Sequence, residues 1–410
     1  MGAPTTHRGF WTRDLRADKR WPLLPFDVPA GCRSIAVELS FDQESGAVID
    51  LGCEGAGGWR GWSGGARTSY VITPDAATPG YVPGDLEPGE WHVVLGLHRI
   101  PPKGVEVTVT IDTDSDARPE PPRPDPPVPA KPRPRGLPAA AGLRWVAVDL
   151  HAHTLHSDGE LTIAELAAEA VAAGLDALAV TDHNTVSHHA ELAAVGRKYG
   201  IALIPGQEIT TEFGHANAYG DIGWIDFREP AANWVKTVRE RGGLLSVNHP
   251  LGGSSAWRHP LPEHPPLAEV WHSSWLASTW GGPVAWWQAW GSEATPIGGS
   301  DFHRRGDRLG VPTTWVAVDS HARNADELAP AVLEGLRAGR AAVSADRLGP
   351  VLLPVDGKVV ALDAPGTLLV GRDVTRKVRF DRETFDPPGP HGHVLCGHDG
   401  SVLALAGTPR

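Results

Sequence analysis

Apolar side chains recur at every second position over residues 34–113, at Ile35, Val37, Leu39 and Phe41 and again in runs over 48–51, 70–72, 91–97 and 105–111. Successive side chains of a strand point to opposite faces, so this alternation, broken by Gly, Pro and Asp, predicts an antiparallel β-sandwich over residues 1–114. The next stretch, 115–142, carries ten prolines between Pro119 and Pro138. Proline fixes φ and lacks an N–H, so this segment predicts a semi-rigid extended linker that holds two domains apart or wraps one around the other.

From residue 143 the period changes. A short apolar run at 145–150 is followed by Thr162 and Glu165, the spacing of a capping box, ahead of Ile163, Leu166, Ala170 and Val171. Strands are predicted at 177–180, 201–204, 244–247, 268–271 and near 295–297. Helices fall at 186–199, 231–241, 284–290 and 325–338. Repeated βα units with parallel strands predict a β/α barrel over 143–349, with seven strands in place of eight. Residues 350–410 return to short strands and turns and read as a small appended β-rich extension.

Composition narrows the function. The chain has 410 residues, enough for two domains, and a formal net charge of −12. That charge disfavours a nucleic-acid scaffold held by phosphate contacts and leaves a small anionic substrate on metal ions open. Cys32, Cys53 and Cys396 are scattered and odd in number, which gives no disulfide framework and no thiolate metal site. No apolar run has the length of a signal peptide or a membrane span, so no membrane partner and a cytoplasmic location are expected; an oligomer is compatible with the sequence.

Chemistry-bearing residues collect at the ends of the predicted strands. His151 and His153 follow the first, His183 the second, Glu208 the third, His249 the fifth, and Asp301 and His303 the seventh. Barrel enzymes keep their sites at that face. The pair in His151-Ala152-His153 puts two imidazoles on one side of an extended segment, where both reach one ion. Imidazole with carboxylate and no thiolate suits Zn, Mn or Fe with positions open for water and substrate. The donors are too many for one ion, so two or three divalent ions sharing a bridging carboxylate are expected.

Strand-end position also singles out His272 as a hydrogen-bond donor to substrate or leaving group, and Arg304 and Arg305 as a clamp for an anionic oxygen. His156, His188, His189, His259 and His264 read as solvent-facing. Seven tryptophans lie between Trp257 and Trp290. Trp286, Trp287 and Trp290 have the spacing of a helix core, whereas Trp275 and Trp280 fall in a loop where they either stack on a planar substrate group or pack beneath the loop.

The motifs "DLHAHTLHSDG", "VTDHNT", "PGQEITT", "GHANAYG", "VNHP" and "GGSDFH", in that order over about 145–350, resemble the PHP (polymerase and histidinol phosphatase) superfamily. The β-rich leader and proline-rich connection resemble its carbaryl-hydrolase-like CehA/McbA branch. The resemblance implies a distorted (β/α)7 TIM-like barrel and a trinuclear metal site. It implies that His151, His153, Glu208 and Asp301 hold one ion and Asp158, His183 and His303 a second, with Glu208 bridging to a third completed by His215 and His249. A metal-dependent phosphoesterase is then expected, in which a metal-bridged hydroxide attacks a phosphomonoester or phosphodiester of a small molecule or nucleotide. The same chemistry at a carbonyl carbon would give a carboxylic ester, carbamate or amide hydrolase. A non-enzymatic metal or ligand sensor is a third reading. Every donor in this set follows the proline-rich segment, so a chain beginning near Gly142 is expected to keep metal binding and some hydrolysis.

Overall fold

The computed structural model describes residues 4–275, 281–290, 294–371, 374–387 and 392–407. Contacts divide the chain into two units. The first comprises residues 1–124 together with two short segments, 154–159 and 182–188; the second comprises 125–153, 160–181 and 189–410.

The first unit contains β1 (Thr5–Trp11), α1 (Arg13–Asp18), β2 (Leu23–Val28), β3 (Ile35–Phe41), β4 (Val48–Gly55), β5 (Gly58–Gly64), β6 (Ser69–Ile72), β7 (Gly89–Arg99) and β8 (Val105–Asp112). They form two four-stranded antiparallel sheets, ordered β1-β8-β3-β6 and β2-β7-β4-β5. The alternating residues Ile35, Val37 and Leu39 meet Leu51, Trp91, Val93 and Ile111 in one core. That is the two-layer packing the alternation predicts.

Segments 154–159 and 182–188 are bound to this sandwich. Arg67 donates from Nη1 to the carbonyl of Ser157 at 3.1 Å, and Thr185 Oγ1 donates to the carbonyl of Gly80 at 2.8 Å. Gly80 has φ +103, and a Cβ there would stand 2.8 Å from the carbonyl oxygen of His156, so only glycine permits this approach.

The second unit opens with residues 125–142, which form neither helix nor strand. They are tied down along their length: Tyr199 Oη donates to the carbonyl of Pro126 at 2.6 Å, Lys131 pairs with Asp176 at 2.9 Å, and Trp145 Nε1 donates to the carbonyl of Pro138 at 2.8 Å. Arg135 reaches the carbonyl of Gly349 at 2.7 Å and pairs with Asp363. The stretch is therefore a strap laid along the second unit. Proline-fixed φ angles reduce the entropy lost in laying it down.

Then follow β9 (Leu143–Asp149), α2 (Ile163–Ala172), β10 (Ala177–Val180), α3 (His189–Tyr199), β11 (Ala202–Thr211), β12 (Gly214–Tyr219), α4 (Ala231–Glu240) and β13 (Leu244–Val247). After these come β14 (Leu267–His272), α5 (Gly282–Ala289), β15 (Thr295–Gly299), β16 (Thr313–Asp319), α6 (Ala325–Arg337) and β17 (Ala341–Ser344). The capping box at Thr162 and Glu165 is present at the start of α2. β9, β10 and β11 run parallel to one another, as do β13, β14 and β15.

Two features depart from the expected barrel. β12 returns antiparallel on β11 through a tight turn, too short for the crossover a parallel strand needs. The sheet also begins at β15 and passes through β14, β13, β12, β11, β10, β9 and β16, so the described strands form no ladder between β15 and β16. There the Thr314 hydroxyl substitutes for a ladder, accepting from Gly298 N and donating to Gly298 O, both at 2.8 Å.

The final strands are β18 (Val351–Val355), β19 (Lys358–Leu362), β20 (Leu368–Val370), β21 (Thr375–Lys377), β22 (Arg382–Phe385), β23 (His393–Cys396) and β24 (Val402–Ala406). β24 pairs with β17, so four of these strands extend the large sheet, while β18, β19 and β22 make a separate three-stranded one. No described helix is long and apolar enough to cross a membrane.

Candidate metal centre

The strand-end histidines are held by buried carboxylates of the chain itself. Asp149, at the end of β9, accepts the backbone N–H of His151 at 3.2 Å and of Ser300 at 3.0 Å on one oxygen, and that of Gly310 at 2.7 Å on the other. Its pKa is raised by burial. The end of β9 is thereby stitched to the end of β15, which places the His151-Ala152-His153 segment beside Asp301. Asp301 has φ 51 and His249 φ 25, a region that L residues rarely occupy. Strained backbone of this kind collects at functional sites.

In the second unit His151 Nε2 lies 3.1 Å from Asp301 Oδ1 and 3.2 Å from Glu208 Oε1. His153 Nε2 lies 3.0 Å from Asp301 Oδ1 and 3.6 Å from Glu208 Oε2. An ion with bonds of 2.0–2.1 Å in a tetrahedral shell has ligand edges of about 3.3 Å. Donor atoms of these four residues are spaced like such edges. The buried Nε2 of His151 has no hydrogen bond of acceptable geometry, although two carboxylate oxygens stand so close. His153 Nε2 is hydrogen-bonded to Asp301 Oδ1, but the unbonded approach of His151 Nε2 to two carboxylate oxygens leaves donor atoms arranged around a common point, so the residues fit a cation.

Glu208, fully buried, faces a second group. The β11–β12 hairpin sets Thr210 opposite His215, and His215 Nδ1 comes within 3.2 Å of Glu208 Oε1. His249 Nε2 lies 3.4 Å from the same oxygen, and the Asn248 side-chain amide donates to it at 2.9 Å. His151, Glu208 and His249 form one cluster with the spacing of a metal site, and His151, His272 and Asp301 another. His303 stacks on His153 with ring centroids 4.2 Å apart, and its Nδ1 donates to the carbonyl of Asp301 at 2.8 Å.

The charge balance points the same way. Burial opposes the charged form of His151, but Asp301, Glu208 and Glu269 override it and hold its pKa well above the usual histidine range. Burial likewise opposes ionisation of Asp301, yet His151 and His153 keep its pKa well below the ordinary carboxylate range. A cluster that gathers carboxylates out of water demands positive charge, from imidazolium or from a bound cation.

Asp158 and His183 lie in the first unit, where His183 Nε2 is 3.5 Å from Asp158 Oδ1. Asp182 fixes the two segments that carry them. It accepts from Thr154 N at 2.8 Å, Thr154 Oγ1 at 2.7 Å and Ser157 Oγ at 2.6 Å. The carboxyl of Asp50, on β4, is pushed up to about 7 by burial, and His183 and Asp158 are the charged groups that act on it.

His272 Nε2 contacts Asp301 Oδ2 at 3.1 Å and its Nδ1 meets Ser274 Oγ at 2.8 Å. The arginines are placed differently. Arg305 pairs with Glu169 at 2.8 Å and Glu165 at 3.3 Å, both on α2, and Arg304 is 73% exposed with Asp307 3.9 Å away.

Several histidines expected at the surface are not there. His188 is fully buried with Nδ1 3.3 Å from Asp182, and His156 is buried with Nδ1 2.7 Å from Ser187 Oγ. His189 reaches the carbonyl of Gly206 at 3.0 Å, and His259 meets Thr211 Oγ1 at 2.8 Å; only His264 of the five is exposed. Each of the other four has a polar partner that composition could not reveal. Trp287 is fully buried and Trp286 stacks on Trp290 at 4.5 Å, so the helix set is partly core. Trp275 is buried 5.8 Å from the His272 ring, and Trp280 falls outside the described residues.

Sequence reasoning passed over Asp50, Asp149, Asp182 and Glu269. A single acid inside an apolar strand, as in Leu267-Ala268-Glu269-Val270-Trp271, was the signal for the last.

Residues 149–249 match the PHP domain family, so a PHP domain is present. A 3',5'-nucleoside bisphosphate phosphatase of Chromobacterium violaceum is 36% identical over 108 residues, 26% of this chain and 37% of that protein. A 5'-3' exoribonuclease of Haemophilus influenzae is 42% identical over 65 residues, 16% of this chain and 24% of that protein. The chain thus spans well under half the length of these curated relatives. Among solved structures, a two-domain protein of Bacteroides vulgatus containing a predicted PHP-like metal-dependent phosphoesterase aligns with a TM-score of 0.41 and 19% identity, over 68% of this chain and 91% of that one.

Proposed function

Taking the PHP domain of residues 149–249 as the starting point, we propose that the protein is a metal-dependent hydrolase acting as a phosphoesterase on a small phosphomonoester or phosphodiester, a nucleotide included. The observation that carries this is the approach of the His151 and His153 Nε2 atoms to within 3.0–3.6 Å of carboxylate oxygens of Glu208 and Asp301. His215, His249 and His303 add donors on the second unit, and Asp158 and His183 complete the proposed ligand set for two to three divalent ions of Mn, Zn or Fe. Such ions acidify water and neutralise the charge of an anionic substrate.

The chain's own residues divide the remaining work. Glu208 presents Oε2 toward His153 and Oε1 toward His215 and His249, the placement a carboxylate bridging two ions requires. His272, its Nδ1 fixed on Ser274, supplies a proton donor to the leaving oxygen. Arg304 is the exposed guanidinium left to meet an anionic oxygen, since Arg305 is committed to α2. The phosphatase name of the Chromobacterium violaceum relative supports phosphorus as the reaction centre. The β-rich leader and the proline-rich strap support placement in the carbaryl-hydrolase-like branch.

Protein reconstituted separately with Mn2+, Zn2+ and Fe2+ should be assayed against aryl phosphates, phosphodiesters and aryl esters. Chelator-sensitive hydrolysis of a phosphate ester is expected. Turnover of aryl esters with none of the phosphates would overturn the phosphoesterase reading.

A further inference from the structure

One buried carboxylate touches two of the proposed ligand histidines and belongs to no ligand set. Glu269 is 1% exposed on β14. Its Oε1 accepts from His151 Nδ1 at 3.0 Å, and its Oε2 accepts the backbone N–H of His249 at 2.8 Å. β14 is irregular at this point: the register against β15 shifts between Glu269 and Trp271. On β15, Gly299 leaves the necessary room, because a Cβ there would lie 2.4 Å from His151 Cβ and 2.6 Å from Glu269 Oε1.

We propose that Glu269 is the positioning residue of the metal centre, a single carboxylate that sets the tautomer of His151 and holds the strained backbone of His249. This inference rests on the metal-site reading above. A carboxylate oxygen only accepts, so Nδ1 of His151 carries a proton, and Nε2, which faces Asp301 and Glu208, is the nitrogen left to present a lone pair to a cation. The second oxygen of Glu269 compensates the left-handed φ of His249, whose backbone would otherwise have a buried N–H without a partner. A carboxylate behind a metal-binding imidazole raises the basicity of the ring and fixes its plane.

Glu269→Gln separates this role from simple filling of space. The Gln side chain has the same shape, and its carbonyl can accept the His249 N–H. Its NH2 then faces His151 Nδ1, which must become an acceptor, and the ring proton moves to Nε2 where it blocks a cation. Affinity for Zn2+, measured by competition with a chromogenic chelator, should fall about tenfold to a hundredfold in E269Q. Its far-ultraviolet circular dichroism should remain that of the wild type.

In Zn2+-loaded wild-type protein, 15N-histidine NMR should show His151 protonated on Nδ1. This second measurement needs no variant to fold. Unchanged Zn2+ affinity in folded E269Q, or an Nε2-protonated His151 in the loaded wild type, would overturn the role of Glu269 alone. Wild-type protein that bound no Zn2+ would overturn the reading of the site and this inference with it.

Discussion

Glu208 is the residue on which the two proposed ligand groups of the second unit converge, with His151 and His153 on one side and His215 and His249 on the other. Removing it should therefore disturb more than one ion. Metal analysis of reconstituted Glu208→Ala is expected to show a stoichiometry lower by more than one ion per chain than the wild type. A loss of one ion or less would mean that the carboxylate does not bridge.

His393 offers a residue-scale test away from the site. It is fully buried on β23, and neither ring nitrogen has a hydrogen bond among the described residues. Burial pushes its pKa down to about 4. In the unfolded chain the ring takes its proton near pH 6.5, so acidification favours unfolding as the pH falls from about 6.5 to about 4, and the stabilising contribution is whole above that window. Between pH 7 and pH 5 the wild type should lose on the order of 1 kcal/mol more than His393→Leu. That is about 2–4 °C in Tm for a domain of ordinary size. Equal losses by differential scanning fluorimetry would show that the buried ring does not resist protonation.

At the scale of elements, the segment after β10 does more than carry His183. Asp182 binds one backbone N–H and two hydroxyls of the 154–159 segment, and Thr154, Ser157 and Asp182 are all buried. Asp182→Ala strands at least one buried donor and leaves two hydroxyls to find new partners, at a cost of about 3 kcal/mol. The expected outcome is a lower Tm together with loss of metal binding at the Asp158 and His183 pair. A variant with wild-type Tm would show that the sandwich alone orders the segment.

Elements that repeat a period were legible in the sequence and elements that answer to a distant partner were not. The alternation at Ile35, Val37 and Leu39 is local and survives any arrangement of the sheets. The capping box of Thr162 and Glu165 is equally local. β12 was missed because "GHANAYG" carries donors and small residues where a strand signal would need bulk; its pairing with both β11 and β13 supplies the stability instead. The break between β15 and β16 depends on one hydroxyl, that of Thr314, and no pattern announces it. His151 and His153 could be found from their spacing and strand-end position. Glu269 and Asp149 could not, since their significance is what they touch across the sheet.

For the whole molecule, the division into units changes what truncation should do. Residues 154–159 and 182–188 lie beyond the proline-rich strap in sequence, yet they pack with the sandwich. A chain beginning at Gly142 keeps His151, Glu208, His249 and Asp301 but deprives those segments of Arg67 and Gly80. It is expected to bind fewer ions than the full chain and to hydrolyse more slowly, which narrows the expectation from ligand positions alone that metal binding and some hydrolysis are kept. Matched metal content in the two forms, with circular dichroism showing both folded, would mean that Asp158 and His183 are ordered without the sandwich.

A unit assembled from three separated stretches also has a schedule. The sandwich strands are synthesised first, but their last partners, residues 182–188, are added roughly sixty residues after residue 124. At 5–20 residues per second that is a delay of about 3–12 s. For those seconds the nascent sandwich lacks the segment whose Thr185 hydroxyl donates to the carbonyl of Gly80, and for the earlier part of them Arg67 lacks the carbonyl of Ser157 as well. Slow translation over 125–188 prolongs this exposure, and chaperone occupancy on the emerging chain should peak there and fall once Thr185 has left the ribosome.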